Sequence, residues 1–376
     1  MKRILTISLT TCIAALSANT AGAQPPSLTS AAARVTAIAS AANLAGEIAI
    51  ADQTGPVTDR TIGLADRGMQ QAHRPGARWL WASVTKQLTA VLVMQQVEAG
   101  TLSLDGTIHH YLPDFAGATG DTVTLRQLLQ HLSGLPNPDG TPAAAGDVPK
   151  FYTDTGAGIA NTPRALGFCS GAPKASPGTG FSYNNCDYLV LGAILERVTG
   201  KPYARLVADR IAKPLRLRSL RVARHGVLRG GSAAATGYTA GGKPYPAINV
   251  ATFGAAGALT GTARDLIKFD RALAGGKLLG SESRAILWKG DPKLGYEALG
   301  VWSFPARLAG CAQPVTLIER RGDVGGIQVR NVIAPELGRS IAVFINDDTF
   351  DLGEVWQGKG LSYNMLSAAF CPVAES

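Results

Sequence analysis

The chain has 376 residues, of which 46% are hydrophobic and 17% are charged, and its formal net charge is +9. This composition excludes a disordered chain, and the length allows a large hydrophobic core without metals or other staples. The basic residues are scattered apart from a run between Arg216 and Arg229, so the charge favours a solvated basic surface over a nucleic-acid site.

The first residues are typical of a secretory leader. Lys2 and Arg3 precede a mostly apolar stretch from Ile4 to Leu16, and small residues at 21–23 form a cleavage site. The apolar stretch is too short to cross a bilayer comfortably, although an uncleaved anchor is the alternative. We predict a signal peptide at 1–23, a mature domain at 24–376, no stable membrane anchor, and a periplasmic or secreted location.

Four cysteines remain once the leader and its Cys12 are removed: Cys169, Cys186, Cys311 and Cys371. An oxidising compartment favours two disulfides over free buried thiols, and four cysteines allow three pairings. We favour Cys169–Cys186 with Cys311–Cys371 because the first pair closes a short loop. In the chain-entropy model a loop of that length stabilises the fold by roughly 3 kcal/mol.

Strands are predicted at both ends of the chain and helices between them. In chain order, the patterns indicate a strand at 46–52, helices at 83–99, 188–199 and 263–275, strands at 327–333 and 340–345, and a last helix at 364–370. Residues from about 105 to 245 combine short helices with long loops rich in proline and glycine. The pattern predicts an α+β fold in which both chain ends build one antiparallel sheet, helices flank it, and a mainly helical subdomain is inserted.

A possible nucleophile lies at the start of the first long helix, in the sequence SVTK from Ser83 to Lys86. Residues three apart on a helix share a face, so the lysine amine can lie beside the serine hydroxyl. Burial lowers the pKa of a lysine, and a neutral amine can then accept the hydroxyl proton. Taken alone, the motif is equally compatible with a serine that caps the helix beside an exposed lysine.

Two further elements can contribute chemistry. Tyr183 and Asn185 follow a Pro-Gly turn; a phenol near a lysine can relay protons, and an amide can hold a lysine or a substrate carbonyl. Arg320 and Gly322 precede a Gly-Gly pair; glycine lets a substrate lie against strand backbone, and the N–H of Asp323 could join that of Ser83 in an oxyanion hole.

Taken in this order, the motifs resemble those of the penicillin-recognising serine hydrolases, which include class C β-lactamases, D,D-carboxypeptidases, D-aminopeptidases and related esterases. The resemblance runs from about Ala45 to Phe370. The segments that carry it are 81–87 (WASVTKQ), 128–135 (LLQHLSGL), 181–185 (FSYNN), 191–196 (LGAILE) and 257–269. It implies a β-lactamase/transpeptidase-like fold, Ser83 as nucleophile, Lys86 and Tyr183 as proton carriers, and Asn185 as the residue that orients Lys86 and the substrate.

The third motif departs from the family pattern, which has Lys or His, any residue, and then Gly on an inner strand. One alignment places Asp323 at the cation position; the other places Arg320 there and Gly326-Ile327 where the family has Gly-Phe. We choose Arg320, which would bind or polarise the substrate, although arginine is bulkier than lysine and effectively never deprotonates.

The sequence contains no convincing phosphate loop, Gly-x-Ser-x-Gly elbow or metal-ligand pattern, so no cofactor and no metal are expected. We predict an exported hydrolase that forms an acyl-Ser83 intermediate with a small-molecule or peptide substrate: a peptidoglycan-type D-amino acid peptide, a β-lactam or an ester. No nucleic-acid partner is expected. The alternative is a non-catalytic cell-wall or peptidoglycan-binding protein that retains the fold.

Overall fold

The computed structural model describes residues 25–144, 147–153, 163–223, 227–228 and 235–373. The predicted signal peptide at 1–23 and part of the basic run between Arg216 and Arg229 lie outside the described residues. Over the ranges that are described, none of the helices has the length and hydropathy needed to span a bilayer.

A six-stranded antiparallel sheet forms the centre of the fold. Its strands, in spatial order, are β10 (Trp302–Ala306), β11 (Val315–Val324), β12 (Ile327–Ala334), β13 (Arg339–Ile345), β1 (Gly46–Asp52) and β2 (Thr58–Ile62). β1 pairs with β13 along its whole length, from Gly46 opposite Ile345 to Asp52 opposite Arg339. Both ends of the chain therefore build one sheet, which confirms the predicted α+β class.

Short strands lie outside this sheet. They are β3 (Leu64–Asp66), β4 (Gln71–Ala72), β5 (Trp79–Leu80), β6 (Arg221–Val222), β7 (Val227–Leu228), β8 (Ile248–Asn249) and β9 (Leu259–Gly261). β9 pairs with β5 and β6 in a three-stranded sheet.

Side chains on β1 alternate between two hydrophobic clusters, as the period of a strand requires. Ile48 and Ile50 belong to the cluster that includes residues of α1 (Leu28–Ala41) and α11 (Leu361–Phe370), whereas Ala49 and Ala51 belong to the larger cluster on the other face. Both faces of the sheet are therefore covered, and the site described below lies on the side of the larger cluster.

The remaining helices belong mostly to the region between β5 and β10. They are α2 (Thr85–Glu98), α3 (Ile108–Tyr111), α4 (Leu125–Leu129), α5 (Pro163–Cys169), α6 (Asn185–Thr199), α7 (Tyr203–Val207), α8 (Gly254–Gly257), α9 (Ala263–Ala274) and α10 (Ser281–Leu287). Residues Thr85–Met94 of α2 and Asn185–Leu195 of α6 are buried around the whole helix. Such helices lie inside the protein, and they carry Lys86 and Asn185 into its interior.

Both predicted disulfides are present. Cys169 and Cys186 join α5 to the first turn of α6, and Cys311 and Cys371 join the β10–β11 loop to the residue after α11. The first bridge lies one residue from Asn185, so it fixes the backbone next to the candidate site. The second closes the larger loop, with a sequence separation of 60 residues.

Candidate active site

Ser83 lies in a short 3-10 turn, Ala82–Val84, that leads directly into α2. The preceding Ala82 has φ of 45°, in the left-handed region that non-glycine residues rarely adopt. The N–H of Trp81 donates to Leu259 O at 2.9 Å, which ties this strained turn to β9. The predicted helix from Ser83 therefore begins as a tight turn, and Ser83 stands at the positive end of the helix dipole.

Lys86 is fully buried, and its amine faces Ser83 as the spacing predicts. Nζ donates to Ser83 Oγ at 3.1 Å, to Asn185 Oδ1 at 2.7 Å and to the carbonyl of Ala256 at 2.9 Å. Burial lowers the pKa of Lys86, an effect that the neighbouring Tyr183 partly offsets. Three acceptors match the three N–H groups of an ammonium, so this arrangement favours a charged Lys86.

Tyr183 lies on the other side of the same hydroxyl, with its Oη 2.5 Å from Ser83 Oγ. Arg320 Nη2 donates to this phenol oxygen at 3.0 Å, and Lys86 Nζ lies 4.7 Å from the centre of the ring. Burial alone would raise the pKa of Tyr183, but the charges of Lys86 and Arg320 outweigh it and lower that pKa below its usual value. The phenol is therefore easier to ionise than an exposed tyrosine.

Asn184, between the two candidate residues, fixes this segment. Its Oδ1 accepts from the N–H of Cys186 at 2.8 Å and caps α6, and its own N–H donates to His131 Nδ1 at 3.2 Å. The His131 ring lies 4.6 Å from the ring of Tyr183, centre to centre. Because of this cap, α6 begins at Asn185, three residues before the predicted start at Tyr188.

Asn185 has its amide orientation set by partners that the sequence did not reveal. Its Nδ2 donates to Tyr152 Oη at 2.8 Å and to Asp139 Oδ1 at 3.2 Å, which directs Oδ1 towards Lys86. Tyr152 stacks on Phe253 at 3.9 Å. Asp139 and Tyr152 belong to loops without periodicity, so no local signal could have identified them.

The last part of β11 forms the wall of the site opposite the nucleophile. β10 pairs with β11 as far as Glu319, and no other strand among the described residues pairs with residues 320 to 324 on that side, so we call this stretch the open edge of β11. A Cβ at Gly322 would lie 2.8 Å from the backbone nitrogen of Ser83. The sequence predicts that Gly322 makes room for the substrate. In the structure, the backbone amide of Ser83 lies against Gly322.

The hairpin that joins β11 to β12 determines which N–H groups point towards this open edge. Val324 faces Ile327 across the two-residue turn Gly325-Gly326, where both glycines have positive φ. Hydrogen-bonded pairs alternate along an antiparallel ladder, so Asp323, opposite Gln328, has its N–H directed away from β12. That N–H therefore points towards the open edge, where Gly322 meets Ser83.

Arg320 is turned inward, beneath the reacting groups. Its side chain is 0% exposed, and Nε donates to the carbonyl of Ser83 at 3.1 Å. Nη1 lies 3.9 Å from Glu297 Oε1, whose side chain is also 0% exposed. Burial raises the pKa of Glu297 to about 8, even though Arg320 and Lys86 act to lower it. Glu297 was not predicted from the sequence, where its only signal is an acid followed by the apolar residues Ala298 and Leu299.

A cleft of about 320 Å³ opens over these groups, lined among others by Ser83, Tyr183, Trp302, Gly322 and Asp323. Its size suits a small molecule or the end of a peptide. Over the described part of the chain, no His, Cys, Asp and Glu side chains are grouped so that three or more could hold a metal ion.

Comparison with known proteins identifies related chains. A model of the Beta-lactamase family matches residues 31–357. Penicillin-binding protein 4 of Amycolatopsis lactamdurans is 35% identical over 167 residues, which are 43% of this chain and 41% of that protein. Esterase EstB of Burkholderia gladioli is 34% identical over 184 residues, 46% of each chain. The matched region thus spans less than half the length of either relative.

Solved structures share the fold along nearly the whole chain. A D-stereospecific amidohydrolase from Streptomyces sp. has a TM-score of 0.69 at 24% identity, covering 92% of this chain and 99% of that one. D-amino acid amidase from Ochrobactrum anthropi SV3 has a TM-score of 0.72 at 22% identity, covering 90% and 98%. The family match extends from α1 to the residues that precede α11, and it includes all the residues gathered around Ser83, so the chain belongs to the Beta-lactamase family.

Proposed function

We propose that this chain is an exported serine hydrolase that transfers the acyl group of its substrate to Ser83 and then to water. The observation that carries the proposal is the position of the Ser83 hydroxyl, 3.1 Å from the Lys86 amine and 2.5 Å from the Tyr183 phenol. A hydroxyl held between a cation and an ionisable phenol can lose its proton to the phenol while the cation stabilises the resulting charge.

Tyr183 is the proton acceptor in this proposal, and Lys86 is the fixed positive charge. Asn185 Oδ1 and the carbonyl of Ala256 both accept from the Lys86 amine, and as an ammonium Lys86 directs its third N–H at Ser83 Oγ, where its charge stabilises the alkoxide. The Tyr183 phenol has a lowered pKa and faces Ser83 Oγ directly. Asn185 keeps the lysine oriented, and Arg320 polarises the phenol.

The first half-reaction forms the ester. Ser83 Oγ attacks the substrate carbonyl carbon as its proton passes to Tyr183 Oη, and the carbonyl oxygen becomes an oxyanion. The N–H groups of Ser83 and Asp323 are its donors, since both lie at the open edge of β11. The bond to the leaving group then breaks, and the proton on Tyr183 passes to that group.

The second half-reaction releases the acyl group. Water attacks the ester carbon and gives a proton to Tyr183, and that proton returns to Ser83 Oγ as the ester bond breaks. Each half-reaction returns the phenol to its starting state, so the cycle needs no cofactor. The substrates we propose are D-amino acid peptides, β-lactams and small esters, a range consistent with relatives named as penicillin-binding proteins, an esterase and a D-amino acid amidase.

The test is a side-by-side assay of the wild-type chain and Ser83→Ala on nitrocefin, a D-Ala-D-Ala peptide and a short-chain ester. Ser182→Ala, which removes a neighbouring hydroxyl, is the matched control. We expect turnover of at least one substrate, its loss in Ser83→Ala, and its retention in the control. If neither wild type nor Ser83→Ala turns over any of the three, yet both bind peptidoglycan equally, the chain is a cell-wall-binding protein and the proposal is wrong.

A further inference from the structure

We infer that the cleft favours neutral esters and amides over substrates that carry a carboxylate beside the scissile bond. The inference rests on the proposed acyl-Ser83 reaction and narrows its substrate class. A substrate carboxylate is bound most strongly by a cation whose N–H groups are free to face it. Among the residues that the structure describes, the arginines that line the cleft are Arg320, Arg321 and Arg330, and each donates to groups of the protein itself.

Arg320 cannot reach a substrate. Its side chain is 0% exposed, and its Nε and Nη2 donate to the carbonyl of Ser83 and to Tyr183 Oη. Nη1 faces the buried Glu297, and the ring of Trp302 lies 5.1 Å from the guanidinium carbon. The charge of Arg320 therefore acts on the Tyr183 phenol. The Ser83 carbonyl, the phenol and Glu297 already face the guanidinium nitrogens to which a substrate carboxylate would have to bind.

Arg321 is matched by two carboxylates. Nε donates to Glu319 Oε1 at 2.8 Å, while Nη1 and Nη2 donate to Glu354 at 2.6 and 2.5 Å. The guanidinium also lies 5.6 Å from the ring of Trp302 and 5.0 Å from that of Trp356. Moving Arg321 onto a substrate would break its two hydrogen bonds to Glu354 and its contact with the buried Glu319, which is costly for charges that are partly buried.

Arg330 is held in the same network. Its Nε lies 3.3 Å from Glu319 Oε1, its Nη1 donates to the carbonyl of Gly353 at 2.8 Å, and its side chain is only 10% exposed. Glu319 thus lies between two arginines. The positive charge on this side of the cleft is largely offset before any substrate binds.

A negative charge lies where a substrate carboxylate would approach. Asp323 lines the cleft and directly follows Gly322, which touches the nucleophile's amide. Desolvation and the nearby Asp348 raise the pKa of Asp323 to about 6, so it is still ionised above pH 7. A carboxylate on the leaving group would share the cleft with this charge, and the two would repel each other.

The test uses two thioesters that share N-acetyl-D-alanine as acyl group and differ only in the leaving group, thioglycolate or thioglycolamide. Attack at the same carbonyl carbon releases a thiol in both cases. We expect kcat/KM to be at least ~10-fold higher for the neutral thioglycolamide at low ionic strength, with the ratio shrinking as salt is added. Equal kcat/KM values, or a higher value for thioglycolate, would overturn the inference.

Measuring the same kcat/KM ratio, thioglycolamide over thioglycolate, in Asp323→Asn tests whether the Asp323 charge causes the preference for the neutral substrate. The substitution keeps the backbone N–H, and we expect it to narrow the ratio several-fold, whereas Asp114→Asn, which removes an exposed acid that does not line the cleft, should leave the ratio unchanged. An unchanged ratio in Asp323→Asn would contradict this role. Acylation of Ser83 by a neutral activated ester, followed by mass spectrometry, separates the two proposals: if it fails, the proposed function falls, and if it succeeds without discrimination, only this inference falls.

Discussion

Replacing Arg320 by glutamine should shift the pH dependence of catalysis. Arg320 Nη2 donates a charge-assisted hydrogen bond of 3.0 Å to the Tyr183 phenol, an interaction worth about 1.5–3 kcal/mol. It favours the ionised phenol, so its loss raises the pKa of Tyr183. At about 1.36 kcal/mol per pKa unit, the expected rise is roughly one to two units. If the ionised phenol is the base, kcat/KM rises with pH through this pKa, and the acid limb moves upward by the same amount.

The assay is kcat/KM for a short-chain ester between pH 4 and pH 10, for wild type, Arg320→Gln and Arg320→Lys. We expect the lysine variant to lie between the other two, because it keeps the charge but loses the second donor. Circular dichroism verifies that each variant is folded. An acid limb at the same pH in wild type and in folded Arg320→Gln would refute the claim that Arg320 sets the protonation of Tyr183.

Three more predictions follow from the structure. Gly322→Ala should lower kcat/KM at least ~100-fold, because the added Cβ would lie 2.8 Å from the backbone nitrogen of Ser83. Gly140→Ala, whose Cβ would have open space around it, should leave kcat/KM unchanged. Burial raises the folded-state pKa of Glu297 from the ordinary 4.5 to about 8, so the stability present below pH 4.5 is lost as pH rises to 8. The free energy of unfolding in urea should fall by about 4 kcal/mol between pH 5 and pH 9, and Glu297→Gln should lack this loss. Replacing both cysteines of Cys311–Cys371 by serine should lower the free energy of unfolding by about 4 kcal/mol and leave kcat unchanged. The same change at Cys169–Cys186 should lower the free energy of unfolding by about 3 kcal/mol. It should also lower kcat, because this bridge adjoins Asn185.

Features fixed by neighbouring residues could be predicted from the sequence. The strand at 46–52 has the observed bounds, because an apolar stretch ended by a turn needs no distant partner to be recognised. Ser83 and Lys86 share a face because helical spacing alone brings them together. The pairing of Cys169 with Cys186 also follows from a short separation along the chain.

Features that depend on distant contacts could not be predicted. The start of α6 was also missed although its cap is local, because the side chain of Asn184 accepts from the N–H of Cys186 in a role indistinguishable in sequence from that of any loop asparagine. Arg320 carries the expected positive charge, but only the position of Glu297 and Trp302 shows that this charge is turned inward. The carbonyl of Ala256, an acceptor for Lys86, has no side-chain signature at all.

The most direct test of the account is the mass of the covalent intermediate. Wild type and Ser83→Ala are mixed with an activated acyl ester, quenched in acid within milliseconds to seconds, and analysed by intact mass and peptide mapping. We predict one added acyl group on the wild-type chain, on the peptide that contains Ser83, and none on the variant. Turnover of the ester with an adduct on another residue, or an adduct that persists in Ser83→Ala, would contradict the assignment of Ser83 as the nucleophile.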